Sequence, residues 1–419
     1  MSTGSLLVVG STSVTPWGHH QLTRIVEEAR LRDLDLIGMD LAAQLESAGR
    51  ASGENELFGE LIPADIDDPD ACVAAVAGRH EVSAVLTIRE LSVAPVAAIA
   101  RALGLRGNDP AVVERIRNKD RCRSWLRERG FAQPTTRLCS SPEEAVDFMA
   151  ETGGPWIVKP RDAMASIGVS LVRGPDALES AIGRVDRDGR FLIETFVSGQ
   201  EFSAEGVMLN ARPYVLALTR KIMGEGPGVL AGGFVEIAHR QPSSLPADIA
   251  DQARAEVARA LTVAGVSCGI FHVEFWWNGS ALVLGELHVR GGGDFIHLLV
   301  DETHPGLSMF GLLIDDLLGR PTDPISPLSG AAGATFLTFP PGGRITAIDG
   351  WEAVRAHKRV VAADLQICVG DTLAPATGSY DRAGAIVVVA STLEEVEAVT
   401  EELSSQVVVS TSQAARVGC

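Results

Sequence analysis

From Gly269 to Asp294 the sequence alternates, turns once, and alternates again. Ile270, His272, Glu274 and Trp276 interleave with Phe271, Val273, Phe275 and Trp277, and Asn278-Gly279-Ser280 then interrupts the pattern. Beyond it, Glu286, His288 and Arg290 interleave with Val283, Leu287 and Val289. Alternate residues of a strand share a face. The segment therefore predicts two antiparallel strands with one apolar face, the other bearing two carboxylates, an imidazole pair and a guanidinium. Two carboxylates buried side by side are costly unless a cation neutralises them. Oxygen ligands of this kind suit Mg2+ or Mn2+ bound together with substrate phosphates. Register decides whether the faces match. A two-residue Asn-Gly loop would set Glu274 and Glu286 on opposite sides of the sheet, whereas an odd-length loop or a bulge sets them on the same side. The alternative is the exposed polar face of a surface hairpin.

With 419 residues, the chain is too long for one ordinary domain. Its first 110 or so residues alternate strands (Ser5–Val9, Leu34–Met39, Ser83–Ile88) with helices (His20–Arg30, Val93–Leu103), a pattern of parallel sheet with helices on its faces. No G-x-G-x-x-G follows the first strand, so a dinucleotide site there has little support. Gly104–Pro110 breaks the pattern, and a basic helix is expected from Ala111 to Gly130. Asp248–Ala264 reads as an amphipathic packing helix, with Ala253, Val257 and Leu261 every four residues. After Gly319-Arg320-Pro321, short β-rich runs and a helix at Thr392–Leu403 suggest a small C-terminal lobe. The division expected is 1–108, 109–190, 191–320 and 321–419.

A formal net charge of -18 disfavours nucleic acid, and no apolar run approaches the ~18 residues of a membrane span. Cys72, Cys122, Cys139, Cys268, Cys368 and Cys419 include no C-x-x-C pair, which points to reduced thiols in a cytoplasmic protein. In so acidic a chain, lysine placement is informative. Trp156–Pro160 is an apolar strand ending in Lys159, followed by a loop of small residues from Asp162 to Gly168. A strand-end lysine can meet phosphate oxygens as a point charge, with loop N–H groups and Ser166 covering a triphosphate; a solvated end-cap is the plain alternative. In Glu194–Ser203, the backbone of Phe196 and Val197 can pair with an adenine edge and Glu201 can accept ribose hydroxyls.

Together these pieces resemble the ATP-grasp superfamily, in particular its carboxylate–amine ligases, from about Asn108 to Gly319. Asn118-Lys119-Asp120, Val158-Lys159-Pro160, Ala165–Val169, Glu194–Ser203 and the Glu274–Arg290 strands follow the order of its motifs. The resemblance implies an α/β ATP-grasp fold with an N-terminal Rossmann-like domain and a small C-terminal lobe. It implies that Lys119 and Lys159 bind the α- and β-phosphates, that Glu194, Phe196 and Val197 hold adenine, and that Glu201 holds ribose. Lys221 and Ser166 would act at the γ-phosphate, Glu274, Glu286 and His288 would bind Mg2+ (or Mn2+), and Arg290 would steady an acyl phosphate. Two departures stand out: His288 where Asn is common, and Met164-Ala165 in the covering loop where relatives have Gly and Ser. Arg290-Gly291-Gly292-Gly293-Asp294 looks most like amino-acid or dipeptide ligases. Asp294 is expected to meet an α-ammonium or to cap the next helix, and His272 is a second candidate substrate contact.

The function expected is thus an ATP-dependent ligase joining a small carboxylate to an amine, with an amino acid in at least one role, as a homodimer. The alternatives are the same fold with another acceptor chemistry (carboxylation, ester or thioester formation) and a nucleotide-binding protein without catalysis.

Overall fold

The computed structural model describes residues 4–51, 57–161, 167–185, 189–224, 228–229 and 234–412, with the backbone alone at 48–51. Four parallel strands open the chain: β1 (Ser5–Val9), β2 (Asp35–Asp40), β3 (Glu60–Pro63) and β4 (Val82–Thr87), in the order β3-β2-β1-β4. Helices α1 (Pro16–Leu31), α2 (Ala42–Ala51), α3 (Pro69–Ala75) and α4 (Val93–Leu103) connect or follow them. Thr15 starts α1, its hydroxyl accepting from Gly18 N–H, with Pro16 at the first helical position. Strand β3 was not expected, because Glu-Leu-Ile-Pro is too short to show a period.

The expected basic helix is two helices, α5 (Pro110–Arg117) and α6 (Lys119–Arg127), separated by Asn118 in an extended conformation. Asn competes for its own backbone: the Asn118 amide donates to Glu114 O at 2.8 Å. The break makes Lys119 the first residue of α6.

A four-stranded antiparallel sheet follows, formed by β5 (Thr136–Cys139), β6 (Trp156–Lys159), β7 (Ser170–Val172) and β8 (Phe191–Thr195), in the order β5-β8-β6-β7. Helices α7 (Pro142–Glu151) and α8 (Leu178–Ile182) cover it. The largest sheet has eight strands. Its first five are β9 (Gln200–Leu209), β10 (Arg212–Met223), β11 (Glu236–Gln241), β12 (Gly269–Trp277) and β13 (Leu282–His288). Then β14 (Ala331–Leu337), β16 (Val360–Leu365) and β17 (Gly384–Ala390) complete the order β13-β12-β9-β10-β11-β14-β17-β16, while β15 (Ile345–Asp349) pairs with β18 (Val408–Thr411). The C-terminal strands thus continue the central sheet by pairing β14 onto β11.

Helix α9 (Ala247–Ala264) lays Ala253, Val257 and Leu261 on Phe271, Val273 and Phe275 of β12, as its period predicts. Each fully buried Phe or Leu in such a core contributes roughly 1.5–3 kcal/mol. A second core ties the first sheet to the large one: Leu22, Ile25 and Val26 of α1 pack with Phe310 and Leu313 of α11 (Met309–Leu317), which follows α10 (Ile296–Thr303). The last two helices, α12 (Trp351–Arg355) and α13 (Leu393–Gln406), sit on the C-terminal strands. No helix of the described residues is long and apolar enough to cross a membrane.

Candidate active site

The turn between β12 and β13 spans four residues, 278–281, closed by the pair Trp277↔Leu282. That even count alone would separate the two glutamates, as the register argument requires. A bulge restores them. Between Val273↔Leu287 and Phe275↔Leu284, Gly285 and Glu286 together oppose the single residue Glu274. His272 then pairs with His288, and the stacked imidazoles lie 5.7 Å apart on the face that also bears both carboxylates. The polar face is covered, with His272 only 4% exposed, so a solvated surface hairpin does not describe it.

Charges from six other elements converge on this face. Lys119 Nζ lies 3.3 Å from Glu286 Oε2, and Lys159, at the end of β6, lies 3.2 Å from Glu286 Oε1 and 3.0 Å from Glu194 Oε2. Burial alone would raise the Glu286 carboxyl, but these two ammonium groups hold it down to about 2. Lys221 of β10 contacts three carboxylates: Glu274 at 2.6 Å, with Glu201 and Glu236 at 3.1 Å each. Burial opposes its charge, yet Glu236, Glu274 and Glu201 together hold the Lys221 pKa well above the usual lysine range. Glu274 is held well below the usual carboxylate range by Lys221 and His272, against burial. Burial pushes Glu201 up to about 7, and the neighbouring Glu274 and Glu236 offset the pull of Lys221. His272 sits 2.9 Å from Glu205, which raises the imidazole to about 9 despite its burial.

Most of these groups line a cleft of about 1070 Å³, including its solvent-filled mouth, between the antiparallel four-stranded sheet and the large one. Lys119, Lys159, Glu194, Phe196, Val197, Glu201, Glu274, Glu286, His288 and Arg290 all face it. The Phe196 N–H is already taken by Pro155 O at 2.9 Å. Glu194 is gripped by the Arg123 guanidinium as well as by Lys159. Ser166 and the loop around it, 162–166, lie outside the described residues.

A second cleft, of about 1500 Å³ including open solvent, runs from this face to the C-terminal edge of the first sheet. His272, Lys221, Asp294 and Trp17 line it, and it meets the first cleft at Glu236, Glu274 and Arg290. Asp294 does not cap α10. The N-cap is Phe295, and both residues adopt left-handed φ (55° and 62°). Its carboxylate is instead held at both oxygens by Arg382, with His239 Nε2 3.4 Å away. A guanidinium thus already occupies the charge expected to meet an ammonium.

Sequence reasoning missed Glu236, His239, Glu205, Glu90, Arg123 and Arg382. Glu205 was legible, since Glu201, Ser203 and Glu205 share a strand face and Glu205 pairs opposite His272. Glu90 follows the C-terminal end of a parallel strand, where ligand sites of open α/β sheets gather. Arg382 gave no local signal.

Residues 116–270 match the family model described as ATP-grasp domain, and residues 335–412 match that of L-amino acid ligase C-terminal domain 2. The chain is 26% identical over 223 residues to an alanine–anticapsin ligase of Bacillus subtilis, an alignment covering 47% of this chain and 45% of the ligase. It thus spans just under half the length of that relative. Its fold superposes on an L-amino acid ligase from Bacillus licheniformis with a TM-score of 0.81, 22% identity and coverage of 99% of this chain and 100% of the other. A biotin carboxylase from Campylobacter jejuni, solved as a β-γ-ATP complex, superposes with a TM-score of 0.71, 14% identity and coverage of 97% and 92%. At these identities the structures show a shared fold, which is common to different acceptor chemistries. By these two matches the chain carries an ATP-grasp domain segment at 116–270 and an L-amino acid ligase C-terminal domain segment at 335–412.

Proposed function

We propose that this chain is an ATP- and Mg2+-dependent ligase that activates the carboxylate of one amino acid as an acyl phosphate and joins it to the amine of a second. One observation carries the proposal: a cleft lined by lysines and carboxylates opens at Glu236, Glu274 and Arg290 into a second cleft lined by His272, Lys221 and Asp294. The match at 335–412 and the similarity to an alanine–anticapsin ligase favour an amino-acid acceptor over carboxylation. The free cysteines among the described residues suit a reducing cytoplasm.

The donor set fits a divalent ion. Glu274, Glu286 and His288 present ligand atoms within 4.8 Å of one another, and Glu286 stays ionised. Hard oxygens with one imidazole suit Mg2+ or Mn2+. Such an ion supplies charge neutralisation across the phosphate oxygens. The chain's own groups do the rest. Lys119 and Lys159 turn from Glu286 and Glu194 toward the phosphates. The Phe196 carbonyl and Val197 N–H meet the adenine edge beside Glu194, and Glu201 accepts from ribose. Lys221 remains a fixed cation beside the transferred phosphoryl group, with Ser166 in the covering loop as a further contact.

The substrate carboxylate oxygen attacks the γ-phosphorus and the bond to ADP breaks. The amine nitrogen then attacks the acyl carbon, its proton leaves, and phosphate departs with the carbon–oxygen bond. Arg290, at the junction of the clefts, stabilises the charge that develops on the acyl oxygen. His272 and Asp294 form the substrate wall, Asp294 sharing its carboxylate between Arg382 and an incoming ammonium.

The test is incubation with ATP, Mg2+ and amino acids in pairs, reading phosphate release and product mass. Release of ADP and phosphate together with a dipeptide mass supports the proposal. AMP and pyrophosphate, or no turnover with any pair, rejects it.

A further inference from the structure

One carboxylate oxygen from the segment that follows the first sheet's β4 reaches into the metal-type cluster. Glu90 follows β4, and its Oε2 lies 2.9 Å from His288 Nδ1 and accepts from Arg290 Nε at 2.8 Å. All three side chains are largely buried, at 11%, 11% and 14% exposure. Because this oxygen is the one that accepts from the Arg290 guanidinium, it acts as an acceptor toward the imidazole too, which assigns the hydrogen of that contact to His288 Nδ1. The opposite ring nitrogen, Nε2, then faces Glu286 Oε2 at 3.6 Å, inside the cluster with Glu274.

We propose that Glu90 is a positioning residue that acts through two partners. It fixes His288 so that Nε2 is the ring atom offered to a divalent ion, and it holds Arg290 at the junction of the two clefts. A carboxylate behind a ligating imidazole sets the ring's tautomer and orientation and raises its basicity. The arrangement also makes the metal cluster depend on how the first sheet docks, because Glu90 lies just after β4 of that sheet and His288 is in β13 of the large one. The inference rests on Glu274, Glu286 and His288 being metal ligands, as proposed above.

The probe is Mn2+ with ADP on the full chain, read by calorimetry and by pulsed EPR for coupling to an imidazole nitrogen. The wild type should show that coupling, and His288→Asn should lose it. Glu90→Ala should bind Mn2+ about 10- to 100-fold more weakly, with Glu90→Gln in between because its amide oxygen still accepts. Glu90→Gln is near-isosteric and keeps the test available if the alanine variant does not fold. A positioning role further expects kcat to fall more than the KM for amino acid in Glu90→Gln, since Arg290 acts on the reacting centre. Mn2+ bound to the wild type without nitrogen coupling, or coupling that survives in His288→Asn through His272, overturns the proposal and leaves the metal site standing. Wild-type Mn2+ affinity in both Glu90 variants also overturns it. No Mn2+ binding by the wild type at all would remove the metal site and this inference together.

Discussion

Gly285 faces Glu274 across the β12–β13 bulge so closely that a Cβ on Gly285 would stand 2.9 Å from the Glu274 Cβ and 2.9 Å from its carbonyl oxygen. No real Cβ sits that near backbone, so the bulge that places both glutamates on one face depends on a glycine there. Gly285→Ala should cost about 1–3 kcal/mol of stability by overpacking and weaken divalent-ion binding as Glu274 is displaced. Denaturant unfolding and Mn2+ titration check both effects. A variant with wild-type stability and ion affinity contradicts this role for the bulge.

Lys159 links Glu194 and Glu286 from the end of β6. Lys159→Ala should raise the Kd for ATP about 10-fold or more, the scale of one lost charge-assisted bond of ~1.5–3 kcal/mol. Calorimetry with ATP measures this directly. Unchanged affinity would return Lys159 to a purely structural ion pair.

Asp294 and Arg382 are paired at both carboxylate oxygens and almost fully buried. Asp294→Ala leaves a buried guanidinium uncompensated, which should cost about 3–5 kcal/mol. Asp294→Ala with Arg382→Met should recover part of that loss, because no charge is then stranded. Urea denaturation of the two single variants and the double variant forms the cycle, and a double variant as unstable as the sum of the singles contradicts the pairing.

Asp301 in α10, which lines neither cleft, gives a pH signature of its own. Burial pushes its carboxyl up to about 7, with Glu28 and Glu302 adding to it against Met309 N–H and Arg24. Between about pH 4, where an unfolded Asp ionises, and pH 7, the folded state keeps a proton that the unfolded state has released. It therefore loses stability as pH rises through that window. Asp301→Asn removes this slope. Its Tm should exceed that of the wild type above pH 7 and match it near pH 4, and a gain independent of pH contradicts the assignment.

What the sequence disclosed follows from the range of each signal. The faces of β12 and β13 were legible because side-chain period is local, and so was Lys159 at the end of an apolar strand. The bulge appeared only as a condition, since nothing in Asn278-Gly279-Ser280 marks Gly285 as the place where register shifts. Strands β10 and β11 went unread because Arg212–Met223 mixes apolar and basic residues, its inner face being filled by Lys221 and its carboxylates. The C-terminal runs read as a small lobe, but the edge onto which they pair was not legible, because which sheet edge a strand joins is a long-range choice. Pairing of Ala334 with His239 is not encoded near either residue. The same holds for Arg382, whose partner lies 88 positions earlier.

The central claim is that a substrate carboxylate oxygen attacks the terminal phosphorus in the cleft held by Lys119, Lys159, Lys221 and Arg290. The most direct measurement supplies an amino acid labelled with 18O in its carboxylate, together with ATP, Mg2+ and a second amino acid, and follows the label by mass spectrometry. An acyl phosphate requires one 18O per turnover to appear in inorganic phosphate, with ADP as the nucleotide product. Label in AMP, or unlabelled phosphate alongside dipeptide, would contradict it.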